Sequence, residues 1–136
     1  MAVSITVTPE GIRIFRVRGK LLAGTIDELK TALDAAGERA YAVVNLKGAH
    51  MADSLALGYL VRRHGAMLSG GGMLVLCCLH PAVTKLLGMA GLGKHFIVHE
   101  REEDAIVALR ATFTGPVPPP KKRGRKPKEP KEEKAG

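Results

Sequence analysis

No stretch of the chain approaches the roughly 18 consecutive apolar residues that a membrane-spanning helix needs. The most continuous apolar run, MLVLCCL at 73–79, falls far short. The opening MAVSITVTPEG is too polar and too interrupted for a secretory leader, so the chain is expected to stay in the cytoplasm with no membrane insertion. Cysteine is scarce: Cys77 and Cys78 are the only two. Being adjacent in an apolar run, they are expected on opposite faces of a strand, as small buried hydrophobes in a reducing compartment and not as a redox or metal pair. The glycines of GMAGLGK lack a Gly-Lys-Ser or Gly-Lys-Thr ending and do not directly follow a strand, which argues against a nucleotide loop. The histidines, His50, His64, His80, His95 and His99, fall in different segments, and the spacing of His95 and His99 across an apolar segment does not build a metal site. No enzyme site assembles, and neither a metal nor a cofactor is expected.

What is present is an ordinary globular composition, with 46% hydrophobic residues in 136. That suffices for one domain with a sizeable core. The formal net charge of +8 is unevenly placed. The last sixteen residues, KKRGRKPKEPKEEKAG, hold eight basic and three acidic side chains and so carry five of those charges. A charge segregated in a tail, with no basic stripe among the periodic residues of the body, points to a polyanion contacted by the tail.

Along the body, SITVTP and IRIFRVRG flank a Pro9-Glu10-Gly11 turn and read as a hairpin, with a phase shift between Ile14 and Phe15 that predicts a bulge there. GTIDELKTALDAAGE predicts a helix started by a Thr25/Glu28 capping box and stopped at Gly37. YAVVNL reads as a short strand. DSLALGYLVRRHGAML is helical through Leu57, Leu60, Val61, His64 and Leu68, and GGMLVLCCL is a central strand covered on both faces. His80 and Pro81 open a short helix, FIVH is a last strand, and REEDAIVALRATF a last helix with acids in its first turn and Arg110 near its end. The alternation predicts an α/β fold: a mixed, mainly parallel sheet with an N-terminal hairpin and about four helices. The domain is expected to cover 1–114, followed by a stiff Pro-rich spacer at 115–120 and a disordered basic tail at 121–136.

Asp53 is placed to cap the helix that begins at Ser54, which puts the Ser54 hydroxyl at the exposed positive end of a helix beyond a central strand. Two readings stay open. The residues are a capping pair and nothing more, or Ser54 accepts a phosphoryl group whose charge a partner reads.

Together YAVVNLKG, MADSLALGYL, GGMLVLCCL, HPAVTKLLGMAGLGKHFIVHE and EEDAIVAL resemble, in order and spacing, the STAS domain of bacterial anti-sigma factor antagonists over roughly Val3 to Phe113. The resemblance implies a small α/β domain that catalyses nothing and binds protein partners, typically an anti-sigma factor serine kinase. Binding would occur while the serine is free and end when the kinase phosphorylates it. Ser54 matches the phosphoacceptor and Asp53 the acid before it, while Leu55, Ala56, Leu57 and Gly58 follow where the family pattern has Ser-Gly-Leu-Gly. Asp53, Leu55, Ala56 and Gly58 are thus the implied cap and partner surface. Asn45 stands where many members have an acid.

KKRGRKPK resembles an AT-hook, with Arg123, Gly124 and Arg125 matching its core and Lys126 in the proline position. The resemblance implies that Arg123, Gly124 and Arg125 lie in the minor groove of A·T-rich double-stranded DNA and that Lys121, Lys122, Lys126 and Lys128 contact phosphates. Generic polyanion binding and a solubilising terminus are the other readings. The leading expectation is a non-enzymatic, nucleoid-associated bacterial regulator whose STAS domain binds a protein partner or itself while the tail binds DNA. The alternatives are an anti-sigma factor antagonist switched at Ser54, and a soluble STAS subunit of a membrane lipid transport system.

Overall fold

The computed structural model describes residues 1–112. The spacer at 115–120 and the tail at 121–136 lie outside the described residues, and with them every expectation about Lys121, Lys122, Arg123, Gly124, Arg125, Lys126 and Lys128.

The strands β1 (Ala2–Val7) and β2 (Arg13–Leu21) form an antiparallel hairpin. Then follow α1 (Asp27–Ala36), β3 (Tyr41–Ala52), α2 (Ser54–Gly70), β4 (Met73–Cys77), α3 (Pro81–Met89), β5 (Val98–His99) and α4 (Glu102–Thr112). The five strands lie in the order β1-β2-β3-β4-β5, and every pairing after the hairpin is parallel. This is the α/β architecture that the alternating pattern predicts.

Both faces of the sheet are covered. Phe15, Val17, Val44, Leu46, Leu74 and Leu76 pack with Leu29 and Leu33 of α1, Leu57, Leu60 and Met67 of α2, and Val83 and Leu87 of α3. On the opposite face Ile12, Ile14, Val43, Val75 and Cys77 pack against Ala105 and Leu109 of α4. The parallel strands therefore read as apolar runs, since alternate side chains enter two different cores.

That two-sided burial corrects the bulge expected between Ile14 and Phe15. Both residues are buried on opposite faces, and the register runs regularly from Arg13 to Arg16. The irregularities lie further on, where Arg16, Arg18 and Lys20 pair with Asn45, Gly48 and Met51, so β3 carries an extra residue in each interval. These bulges let β3 keep pairing with β2 beyond Asn45, which makes it longer than YAVVNL alone suggests. Gly48 is required there, because a Cβ at this position would lie 2.9 Å from the Val17 carbonyl oxygen.

The Thr25/Glu28 capping box does not form. Residue Ile26 occupies the cap of α1 without a side-chain bond. The Thr25 hydroxyl donates to the Lys20 carbonyl at 2.6 Å and accepts from the Leu22 N–H at 3.2 Å, closing the preceding turn. Glu28 instead accepts from the Val3 N–H of β1 at 2.7 Å. Tertiary partners outcompete the local motif.

The cysteines also depart from expectation. Cys77 ends β4 and is buried, but Cys78 has φ +61°, a left-handed conformation uncommon outside glycine. Its side chain returns to the same side, with Sγ 3.4 Å from the Cys77 Sγ.

Candidate partner-binding site

At the end of β3 the chain turns into α2 through Asp53, whose extended backbone (φ −119°, ψ 165°) is that of an N-cap. One carboxylate oxygen accepts from the Ala56 N–H at 2.8 Å, and the other from the Ala23 N–H at 3.0 Å. The Asp53 N–H in turn donates to the Leu21 carbonyl at 3.1 Å. Asp53 thus ties the start of α2 to the end of β2 and to the loop after it. Sequence reasoning finds the cap, because its signal is local. The anchor at Ala23, thirty residues away, leaves no local signal.

Ser54 is the first residue of the 17-residue α2 and is exposed. The first turn of α2 holds no acidic residue, so the partial positive charge of the helix end is offset by Asp53 alone. Leu55, next to Ser54 in the chain, is 72% exposed, and Met51 near the end of β3 is 44% exposed. Ala56 is buried in the core, so its methyl packs inward. Gly58 is half-buried, and a methyl added there would lie 3.7 Å from a guanidinium nitrogen of Arg62, an ordinary contact.

Asn45 does not join this group. It lies on the α4 face, where its side-chain N–H donates to Glu102 Oε1 at 2.8 Å and its Oδ1 accepts from the Lys47 N–H at 2.9 Å. Glu102 also takes a bidentate pair from Arg16, at 3.0 Å from Nε and 2.8 Å from Nη2. The Arg16 hydrogen bonds hold the Glu102 carboxyl below the usual carboxylate range, against partial burial that pushes it up. This cluster joins residues up to 86 positions apart and has no sequence signal. Beside it a surface cavity of about 450 Å³ is lined by Asn45, Lys47, Cys78, Leu79 and residues 100–103.

A five-stranded mixed sheet with helices on both faces, with an exposed serine following the Asp53 cap at one helix start, defines a small α/β domain. Residues 4–105 match the STAS domain, and the chain belongs to this family of non-catalytic regulatory modules. It is 31% identical over 102 residues to an anti-sigma F factor antagonist of Paenibacillus polymyxa, which spans 73% of this chain and 87% of that one. Among solved structures, an anti-sigma factor antagonist from Mycobacterium paratuberculosis superposes with a TM-score of 0.71 at 20% identity, covering 80% of this chain and 93% of the other. The Bacillus cell fate determinant SpoIIAA in its phosphorylated form does so with a TM-score of 0.61 at 20% identity, covering 80% and 100%. At these identities the two structures establish the shared fold. Among the described residues no helix is long and apolar enough to cross a membrane.

Proposed function

We propose that this chain is an anti-sigma factor antagonist: its surface around Asp53, Ser54 and Leu55 docks a protein partner of the anti-sigma factor serine kinase type, and a phosphoryl group on Ser54 ends the docking. The observation that carries this reading is the placement of Ser54, exposed on the first turn of a capped helix that has no acid of its own there. A helix start tolerates a phosphoryl group, so the modification leaves the fold intact while adding nearly two negative charges to the contact surface. The relative in Paenibacillus polymyxa is named an antagonist, and SpoIIAA has been solved phosphorylated. Both favour the switched antagonist over a role centred on the basic tail. Leu55, with most of its side chain in solvent, contributes apolar contact area to the partner.

The test is binding of the full chain and its variants to the cognate anti-sigma factor. Ser54→Ala is expected to bind like wild type. Ser54→Asp is expected to weaken binding about tenfold or more, roughly 1.4 kcal/mol, and Leu55→Glu to weaken it without loss of fold. Undiminished binding by Ser54→Asp and Leu55→Glu would reject the reading.

A further inference from the structure

Cys77 ends β4 and Cys78 follows it on the cavity lined by Asn45 and Lys47, and neither belongs to the Asp53, Ser54 and Leu55 group used above. In a regular strand neighbouring side chains point to opposite faces. Here the left-handed backbone at Cys78 defeats that alternation and points its thiol at its neighbour, Sγ to Sγ 3.4 Å. The turn is pinned, because the Cys78 N–H donates to the His99 carbonyl at 3.1 Å. The two thiols differ in access. Cys77 is buried in the core beneath α4, and burial together with the neighbouring thiol pushes its ionisation above the ordinary thiol range. Cys78 is only half-buried and lines the cavity beside Lys47 and Leu79. Among the described residues no three histidine, cysteine or acidic side chains converge to hold a metal ion.

We propose that Cys77 and Cys78 form a vicinal dithiol that a peroxide oxidises reversibly to a disulfide. The cavity-lining Cys78 sulfur attacks one peroxide oxygen. The O–O bond breaks, the thiol proton leaves with the departing oxygen as water, and Cys78 becomes a sulfenic acid. The Cys77 sulfur then attacks the sulfenic sulfur. The S–O bond breaks, and the hydroxyl leaves with the Cys77 proton as a second water. In balance, two thiols and one hydrogen peroxide give one disulfide and two waters. The sulfurs close from 3.4 Å to the roughly 2.0 Å of the bond, and because neighbouring Cα atoms lie only about 3.8 Å apart the closure also distorts the backbone between them, which makes the bond readily reducible.

The experiment treats the full chain with hydrogen peroxide and reads intact mass, alkylation by a maleimide under denaturing conditions, and migration on a non-reducing gel. The expected product is monomeric, lighter by two hydrogens and closed to alkylation, and dithiothreitol restores both thiols. In Cys77→Ala the reaction is expected to stop at a Cys78 sulfenic acid that dimedone traps. In Cys78→Ala, Cys77 is expected to stay reduced while the chain is folded. Two thiols still open to alkylation, a persistent sulfenic acid in the wild type, or a disulfide formed only between chains would overturn the proposal. The wild-type mass decides even where a variant fails to fold.

Discussion

His64 sits in the middle of α2 and is buried, and its Nδ1 accepts a hydrogen bond from the Leu74 N–H of β4 at 3.2 Å. Only the neutral ring with its proton on Nε2 can do this. Burial lowers the pKa below the ordinary histidine value. The folded chain therefore binds fewer protons here than the unfolded chain. The associated stability is fully present above the unfolded pKa of about 6.5 and is lost as pH falls through the lower folded value. Urea unfolding at a series of pH values from neutral to mildly acidic is expected to show this decline, and His64→Leu to flatten it even where its absolute stability is lower. An equal slope in the variant would remove His64 as the cause. The helical spacing places His64 on the inward stripe, but not its tautomer, which is set by a partner on another element. The same division runs through the candidate site. Asp53 as cap is legible in a few consecutive letters, whereas its bond to the Ala23 N–H, thirty residues away, is made by the packing of α2 against the end of β2.

The order of strands and helices is legible because each element carries its own period and stop signal. What the letters misplace are features decided by neighbours. The capping box at Thr25 loses to Lys20 and Val3, and the bulges move to β3, where Gly48 lets the strands approach. Two glycines in and after α2 test whether space or backbone freedom governs. Gly65 is exposed in the helix interior, with nothing within 4 Å of a built Cβ. Gly65→Ala is therefore expected to stabilise by about 0.5–1 kcal/mol. Gly72 follows the helix stop at Gly71 (φ +98°), and a Cβ there would lie 2.2 Å from the Ala40 carbonyl oxygen. Gly72→Ala must shift backbone and is expected to cost about 1–3 kcal/mol. Denaturant midpoints of the two variants measured side by side check both signs, and a tolerated Gly72→Ala would contradict the packing of α2 against the loop before β3.

As a whole molecule, the chain joins a STAS domain to a C-terminal segment far richer in proline and basic residues and nearly without apolar ones. We propose that the two act independently. A chain ending at Thr114 is expected to keep the thermal midpoint of the full chain, because residues 115–136 carry no periodic apolar residues to bury. It is also expected to lose any salt-sensitive affinity for double-stranded DNA, which Arg123, Arg125 and the flanking lysines would supply. Thermal unfolding and DNA titration of both lengths check this, and a lowered midpoint in the shorter chain would oppose it. Phosphate mapping coupled to binding tests the proposed switch at Ser54. The full chain is incubated with ATP and the anti-sigma factor kinase proposed as its partner, the modified residue is located by mass spectrometry, and the affinity of the modified and unmodified chains for that kinase is compared by calorimetry. A single phosphate on Ser54, at the start of α2, and loss of binding once it is there are expected. Phosphate on another residue, or equal affinity with and without it, would rule out a switch at Ser54.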